Sequence, residues 1–290
     1  MARSLRVGTP KKAAAGLPGV AHAMDFAIRE GALLPLLKVN QTDGFDCPGC
    51  AWPDPERRHV AEFCENGVKA VAEETTARRC GPEFFAAHPI PDLRGQTDHW
   101  LGRQGRLTTP MYLREGSAVY EPVTWEFALD LIADTLRSIA PEEAVFYTTG
   151  RTSNEAAFLY QLLARRLGTN NLPDCSNMCH ESSGSALTET IGIGKGTVTL
   201  TDVETSELIL INGQNPGTNH PRMLNALEKA KANGGKIVAI KPLPEAGLIR
   251  FKNPQSVRAL AGVPLADEYC QIRVNGDLAF FRALNRVLLD

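Results

Sequence analysis

The stretch that sets the fold class reads Leu208-Ile209-Leu210-Ile211-Asn212-Gly213-Gln214-Asn215-Pro216-Gly217-Thr218-Asn219-His220-Pro221-Arg222. Its first four residues form a short apolar run bounded by turn residues, which predicts a buried strand. Pro221–Asn233 predicts a helix that ends at Gly234-Gly235, and Ile237–Ile240 predicts a second strand. Strand, helix and strand in this order indicate a parallel sheet covered by helices.

The chain upstream of this stretch alternates helical and strand patterns in the same way. Thr124 is a helix-capping residue followed by apolar residues at helical spacing. The apolar run Ala144–Thr148 predicts a buried strand, and Thr152 with Glu155 predicts a capping box at the start of the next helix. The sequence therefore predicts an α/β fold with a parallel sheet over residues 116–290.

The composition is that of an ordinary globular protein. The chain has 290 residues, of which 43% are hydrophobic and 22% charged, and its formal net charge is −2. It therefore carries no global attraction to nucleic acid or anionic membranes. No apolar run approaches the roughly 20 residues that span a bilayer, and no apolar signal-peptide segment follows the basic start. We expect a cytoplasmic protein with no nucleic-acid partner and no membrane span.

The distribution of cysteine divides the chain. Seven cysteines, an odd number in a long chain, argue against a secreted disulfide framework and favour reduced thiols, some of them bound to metal. We predict an N-terminal extension over 1–45, a small metal-stapled region over 46–115 and the α/β domain over 116–290. The helical pattern that begins at Asp277 runs to Asp290 without a cap, so we expect this domain to be truncated.

The first cysteine motif is Cys47-Pro48-Gly49-Cys50. Two thiolates at this spacing can bind one metal ion or one corner of an iron–sulfur cluster. Cys64 is the natural third ligand, and Cys80, His59 and Asp54 are candidates for a fourth. The spacing alone leaves zinc, a redox disulfide, an iron–sulfur cluster and two unrelated loop thiols all open.

A second thiol-bearing stretch reads Asp174-Cys175-Ser176-Asn177-Met178-Cys179-His180-Glu181-Ser182-Ser183-Gly184. Its two cysteines are four residues apart and so share one face of a helix. A thiolate is a nucleophile and a soft metal ligand, and the neighbouring imidazole can carry protons. A packing role is equally open, because free cysteine is often a small buried hydrophobe.

The loops after the predicted strands are where a ligand site is expected, because parallel sheets bind ligands at the carboxyl ends of their strands. The glycines of residues 212–222 let the backbone approach a ligand, and the following helix offers free N–H groups to a phosphate. Arg222 adds positive charge. The same composition is also typical of an ordinary βα turn. Lys241–Glu245 follows the next strand, where residues often touch a nucleotide base or ribose.

Together these segments resemble the molybdopterin oxidoreductase alpha subunits, most closely the formate-dehydrogenase-like FdhF/YdeP branch. The matching segments occur in family order and are Asp43–Asp54, Cys64–Gly67, Gly150–Glu155, Asn171–Gly184, Gly213–Arg222 and Pro242–Gln255. The resemblance implies the N-terminal portion of a longer protein. It implies a small N-terminal iron–sulfur region followed by a Rossmann-like molybdopterin-binding domain, as in formate dehydrogenase and DMSO reductase.

The resemblance also implies the molybdenum site. The metal would be held by the dithiolenes of two molybdopterin guanine dinucleotides, with Cys179 as its protein ligand and His180 as the adjacent proton acceptor. The residues that would contact a dinucleotide are Asn212, Gly213, Asn215, Pro216, Thr218, His220 and Lys241.

A redox path is implied as well. Cys47, Cys50 and Cys64 would hold a 4Fe-4S cluster, and Lys69 would lie between cluster and pterin. The implied reaction is the two-electron oxidation of formate or a similar small substrate. Electrons would leave through the cluster to an acceptor protein or subunit.

The chain departs from the family pattern in two places. Asp54 stands where a third closely spaced cysteine is usual, and Lys241 stands where relatives carry Asn or Asp. A lysine cannot accept a hydrogen bond from guanine. Two alternatives therefore remain: an inactive fragment that binds cofactor only, and a zinc-stapled α/β binding module.

Overall fold

The computed structural model describes residues 11–50, 52–149, 152–173, 175–256 and 261–290, with residues 175–179 described in their backbone alone. Gly150, Arg151 and Asp174, which belong to segments quoted above, lie outside the described residues. The described chain forms two compact units. The first joins the residues up to Thr75 with Val198–Asp290, and the second is Thr76–Thr197.

The helices, in chain order, are α1 (Gly16–Arg29), α2 (Leu33–Leu36), α3 (Glu65–Thr75), α4 (Pro82–Ala87), α5 (Ile90–Arg94), α6 (Asp98–Gly102), α7 (Trp125–Ser138), α8 (Asn154–Arg166), α9 (Cys175–Ile191), α10 (Leu200–Thr205), α11 (Pro216–Asn219), α12 (Met223–Ala232), α13 (Ala246–Ile249) and α14 (Asp277–Leu289). The strands are β1 (Ala14–Ala15), β2 (Arg79–Cys80), β3 (Arg106–Leu107), β4 (Met111–Tyr112), β5 (Glu121–Pro122), β6 (Leu208–Asn212), β7 (Lys236–Lys241), β8 (Phe251–Lys252) and β9 (Glu268–Gln271).

A parallel sheet with the strand order β6-β7-β9 organises the first unit. The register pairs Ile211 with Ala239 and Val238 with Glu268. This confirms the parallel α/β arrangement predicted from the strand–helix–strand pattern. Both predicted strands are present, and each is slightly longer than the apolar run that indicated it.

Helix α12 connects β6 to β7 and packs on the sheet. Leu224 and Leu227 are fully buried with Ile237 in one core, and burying each such side chain contributes about 1.5–3 kcal/mol. On edge strand β6, Leu208 and Leu210 stay exposed. Helix α12 therefore covers the face of the sheet that carries Ile237, as predicted, whereas Leu208 and Leu210 remain exposed.

A second core of the first unit lies between α1, α2 and α3. Ala23 and Ala27 of α1 are buried with Val68 and Val71 of α3. Cys47 packs at the edge of this core, so helix packing positions the first cysteine motif.

The second unit contains α7, α8 and α9. Thr124 caps α7 as predicted, because its hydroxyl accepts a hydrogen bond from the Phe127 N–H over 3.2 Å. The predicted Thr152 capping box is wrong. Ser153 caps α8 instead, accepting from the Ala156 N–H over 3.3 Å.

The strand predicted over Ala144–Thr148 is also wrong. None of these five residues belongs to a strand, although Thr148 makes an isolated bridge. Ala144 and Phe146 are buried with Ala164, and the Phe146 N–H donates to the carbonyl oxygen of Asn171 over 2.9 Å. An irregular segment therefore fills this core, which explains the apolar run without a strand.

The boundaries of the two units, after Thr75 and before Val198, differ from the boundaries predicted from composition. Those boundaries, at 45/46 and 115/116, concern functional segments and stay a prediction. In the described part of the chain, no helix is both long and apolar enough to cross a membrane.

Candidate cofactor site

The loop after β6 is built from a glycine turn and a buried proline. Gly213 has a φ of +67°, a conformation that favours glycine, and its N–H donates to the Ile240 carbonyl over 2.9 Å. Pro216 is buried at the start of α11, whereas Asn212 and Thr218 are exposed. The turn fixes the backbone and leaves polar side chains accessible at the carboxyl edge of the sheet.

Lys241, at the end of β7, is buried beneath this loop with 2% of its surface exposed. Its Nζ donates to the carbonyl oxygen of Gln214 over 2.6 Å and to Oδ1 of Asn215. Burial lowers the pKa of Lys241, while the charge of Glu245 acts in the opposite direction. The ammonium therefore holds the loop from within the protein, and its direct contact with a dinucleotide stays a prediction.

The turn after β7 packs against the same loop. Glu245 is buried, and its Oε2 accepts from the Leu248 N–H over 3.0 Å at the start of α13. A β-carbon on Gly217 would lie 2.3 Å from Oε1 of Glu245, so any larger residue would displace the Glu245 carboxylate. Gln271 at the end of β9 donates to the Pro242 carbonyl over 2.9 Å. The three strand ends are thus linked at the edge where parallel sheets bind ligands.

The three cysteines predicted to hold a cluster lie close together. The sulfur atoms of Cys47 and Cys64 are 2.9 and 3.9 Å from the position that a β-carbon on Gly67 would occupy. The N–H of Gly49 donates to Cys47, and that of Gly67 to Cys64, each over 3.4 Å. Repulsion from Cys50 helps to raise the pKa of the other two thiols.

Burial is the main cause of the raised pKa of Cys47 and of Cys64, and the N–H donors of Gly49 and Gly67 act in the opposite direction. Cys64 directly precedes α3, so the amino end of that helix favours a negative sulfur. Burial thus disfavours a free thiolate, whereas the N–H donors and the helix end favour a negative sulfur. A bound iron atom in place of the thiol proton would suit both effects, because thiolate is the form that binds metal.

The three thiols are the donor type that an iron–sulfur cluster uses. Within the described ranges, no group of three or more His, Cys, Asp or Glu side chains is arranged to hold one metal ion. A cluster binds its thiolates through separate iron atoms. The missing β-carbon at Gly67 also keeps the chain clear of the Cys47 sulfur. The iron–sulfur cluster and the zinc-stapled alternative both stay predictions.

A buried polar network lies beside the segment between Cys47 and Cys64, which we call the cysteine loop. The sequence did not predict this network. Asn40 is 3% exposed and has a φ of +56°. Its side chain accepts from the Cys47 N–H over 2.8 Å and donates to the Glu62 carbonyl over 2.7 Å. The Glu62 carboxylate accepts from the His59 N–H over 3.1 Å. No sequence pattern indicates these pairings, because the residues lie on separate turns of an irregular segment.

Arg222 closes this network and is 7% exposed. Its Nη2 donates to Asp54 Oδ1 and Glu62 Oε1, each over 2.7 Å, and its Nη1 donates to the Trp52 carbonyl over 3.3 Å. Burial acts to lower the pKa of Arg222, but the bonds to Glu62 and Asp54 outweigh it and raise the pKa. Two carboxylates engage the guanidinium of Arg222, and the contribution of its charge to a phosphate site stays a prediction.

Further contacts join the cysteine region to the loop after β6. Asn66 donates to the Thr218 carbonyl over 2.8 Å, and the rings of Trp52 and His220 have centroids 6.5 Å apart. Gln214 Nε2 lies 3.3 Å from Nδ1 of His220. The segment that carries the predicted cluster ligands therefore contacts the predicted dinucleotide loop within the first unit.

Lys69 lies on α3, and its Nζ is 2.8 Å from Oε1 of Glu65 and 5.5 Å from the ring centroid of Phe26. Burial acts to raise the pKa of Glu65, but hydrogen bonds from Lys69 and His22 outweigh it and lower the pKa. The position of Lys69 between cluster and pterin stays a prediction. Cys80 is buried in β2 of the second unit, and its role as a fourth ligand is also untested.

The second thiol stretch forms the start of α9 in the second unit. The side chains of Cys175 and Cys179 lie outside the described residues. His180 is exposed and lines an open cleft of about 630 Å³ together with Glu181 and Thr188. The roles predicted for Cys179 and His180 therefore stay predictions.

Comparison with known proteins matches residues 106–285 to a family described as molybdopterin oxidoreductase. The chain is 57% identical to an uncharacterized oxidoreductase of Mycobacterium tuberculosis, over 99% of this chain and 38% of that protein. It is 44% identical to protein YdeP of Escherichia coli, over 96% of this chain and 38% of that protein. It is 29% identical to the alpha subunit of F420-dependent formate dehydrogenase 1 of Methanococcus maripaludis, over 79% of this chain and 32% of that protein. The chain thus spans well under half the length of these relatives.

Proposed function

Because this chain belongs to the molybdopterin oxidoreductase family, we propose that it is part of a molybdenum-dependent enzyme that oxidises formate or a similar small substrate. The observation that carries the proposal is the contact between the segments that bear Cys47, Cys50 and Cys64 and the loop after β6, through Asn66 with Thr218 and Trp52 with His220. A thiol cluster beside a glycine-containing loop at the carboxyl edge of a parallel sheet suits a redox cofactor next to a bound dinucleotide.

The proposed cofactor is molybdenum with two molybdopterin guanine dinucleotides, which when bound supplies the two-electron chemistry. This chain would hold one dinucleotide with the loop after β6, through Asn212, Gly213, Asn215, Pro216, Thr218 and His220. Lys241 holds that loop in place from the sheet side, as its bond to Gln214 supports.

The residues proposed for the chemistry are Cys179 and His180. Cys179 would provide a thiolate ligand to the metal, which is a suitable donor for a soft site. His180 would take up the substrate proton on an imidazole nitrogen, and its exposure on α9 leaves the ring accessible.

The proposed electron carrier is a 4Fe-4S cluster bound by Cys47, Cys50 and Cys64, with Lys69 on the neighbouring helix. Electrons would pass from this cluster to a separate acceptor protein or subunit. The formate dehydrogenase relative is itself named as an alpha subunit, which supports a multi-subunit assembly. A cytoplasmic location is a further part of the proposal and derives from the composition.

The test is metal analysis of the full-length protein together with its visible spectrum and a formate oxidation assay with an artificial electron acceptor. We expect molybdenum, iron and cluster absorption in protein that oxidises formate. Active protein that lacks both metals would overturn the proposal. Full metal content with turnover of a different small substrate would retain the cofactor assignment and reject formate.

A further inference from the structure

We infer that Arg222 is a positioning residue for the proposed cluster: it ties both arms of the cysteine loop together and holds a permanent positive charge beside that loop, which makes the cluster easier to reduce. The inference rests on the proposed function, because it assumes that Cys47, Cys50 and Cys64 bind an iron–sulfur cluster. It adds a residue that the cluster motif does not contain.

The geometry places one guanidinium across the two arms of the loop. Trp52 and Asp54 follow Cys50 closely, and both bond to Arg222. Glu62 closely precedes Cys64 and bonds to the same Nη2 atom. A planar fork of donors can satisfy several acceptors at once in a fixed geometry, which a lysine cannot reproduce.

Asn40 extends this hold to the remaining ligand. It bonds to the Glu62 carbonyl and to the Cys47 N–H, so the backbone on either side of the cluster ligands is tied to one buried network. A shift of Arg222 would therefore move the segments that carry Cys47 and Cys64 relative to each other.

The charge of Arg222 lies beside the cysteine loop. The network around its guanidinium runs through Glu62 and Asn40 to the Cys47 N–H, and Asp54, which it bonds directly, follows Cys50 by four residues. Arginine stays protonated in proteins, and a buried charge is screened less than one in water. Because the reduced cluster carries one more negative charge than the oxidised cluster, a fixed positive charge favours reduction.

One hydrogen-bond donor of Arg222 has no acceptor among the described residues. This donor is its buried Nε. Buried donors without acceptors are rare. A negatively charged cluster beside the loop would compensate this one electrostatically.

The experiment is a redox titration of the cluster in the full-length protein, followed by visible absorption and electron paramagnetic resonance. At a fixed potential we expect Arg222→Gln to lower the ratio of reduced to oxidised cluster at least tenfold, which is a 59 mV fall for a one-electron couple. Glu62→Gln should raise the ratio, because it removes a negative charge from the same network. Arg222→Lys keeps the charge but not the fork, so its ratio should lie closer to that of the unmodified protein than the ratio of Arg222→Gln does.

The matched control is Lys231→Gln. Lys231 lies on α12, the helix that begins after Arg222, and pairs with Asp267 over 2.7 Å. Lys231→Gln therefore removes a positive charge whose carboxylate partner lies outside the network around Arg222. The control should leave the redox ratio unchanged. Opposite shifts in Arg222→Gln and Glu62→Gln separate a charge effect from a packing effect, which would not change sign.

If the Arg222→Gln protein does not accumulate in cells, the redox ratios of the Arg222→Lys and Glu62→Gln proteins still test the inference. A fall of less than tenfold in the first and a raised ratio in the second support the inference. An unchanged ratio in Arg222→Gln or Glu62→Gln protein with full iron content overturns it, as do shifts of the same sign. Unmodified protein without any cluster would instead refute the proposed function.

Discussion

The Nζ of Lys241 donates a hydrogen bond of 2.6 Å to the carbonyl oxygen of Gln214. This bond joins the end of one parallel strand to the loop that follows its neighbour. The sequence indicated Lys241 as a residue at the binding edge. The structure instead directs its charge into the protein, where it shapes the loop proposed to bind a dinucleotide.

Lys241→Met should destabilise this loop. The substitution leaves the Gln214 carbonyl and the Asn215 amide oxygen without their donor, and each lost partner costs about 1–3 kcal/mol. We expect a lower free energy of unfolding in urea and faster hydrogen exchange of the amides between Gly213 and Asn219. Lys236→Met is the matched control, because Lys236 begins the same strand and is exposed. Equal exchange rates in the two variants would contradict the assigned role of Lys241.

Gly67→Ala should prevent the three thiols from binding iron. The new β-carbon would lie 2.9 Å from the Cys47 sulfur, which forces that thiol away. Alanine favours a helix by about 1 kcal/mol over glycine, so α3 itself should remain. We expect less iron per chain and weaker cluster absorption in full-length protein. Gly19→Ala is the control, since its β-carbon would lie an ordinary 3.5 Å from Glu65, and it should keep normal iron content.

Cys179→Ser should abolish substrate oxidation and leave cluster absorption intact. A serine hydroxyl is a far poorer ligand for a soft metal site than a thiolate. Cys175→Ser, one helical turn earlier on α9, should keep most of the activity because Cys175 is interpreted as a packing residue. Full activity of the Cys179 variant would reject it as the molybdenum ligand.

Asp267→Asn should weaken the first unit in a pH-dependent manner. The pKa of Asp267 is lowered chiefly by its bond to Lys231 and by the Ile237 N–H. Its contribution to stability is therefore fully present above the unfolded-state value of about 3.9 and is lost as the pH falls through the lower folded value. The difference in unfolding free energy from the unmodified chain should be largest near neutral pH and vanish in strong acid.

The control for this titration is Asp25→Asn. Asp25 forms an exposed pair with Arg29 within one helix, and such pairs contribute at most about 1 kcal/mol. Its effect at neutral pH should be smaller than that of Asp267→Asn. A pH-independent loss in the Asp267 variant would contradict the electrostatic explanation.

The family and the parallel sheet were predictable because their signals are local or cumulative. The runs Leu208–Ile211 and Ile237–Ile240 are apolar over a strand's length and flank one helix, and the structure confirms both strands. The resemblance to molybdopterin oxidoreductases is confirmed by the family match and by relatives that include YdeP. It rested on several motifs in a fixed order.

The two errors have different physical causes. Ala144–Thr148 has the composition of a buried strand, but its Phe146 N–H bonds to Asn171 instead of a neighbouring strand. At α8, two hydroxyl residues stood next to each other, and Ser153 formed the cap while Thr152 bonded to Thr148 over 2.9 Å. In the first case a partner distant along the chain determined the structure, and in the second a hydroxyl four residues away engaged Thr152 and left the cap to Ser153.

By itself the sequence determined the α/β class, the family and the cysteine motif, because hydrophobic periodicity and motif order are written along the chain. The tertiary structure alone decided where the charges lie. Arg222 reaches Asp54 and Glu62 across separations of 168 and 160 residues, and Lys241 turns beneath the loop after β6. A buried cation must find acceptors, and which carboxylate or carbonyl supplies them depends on how the loops pack together.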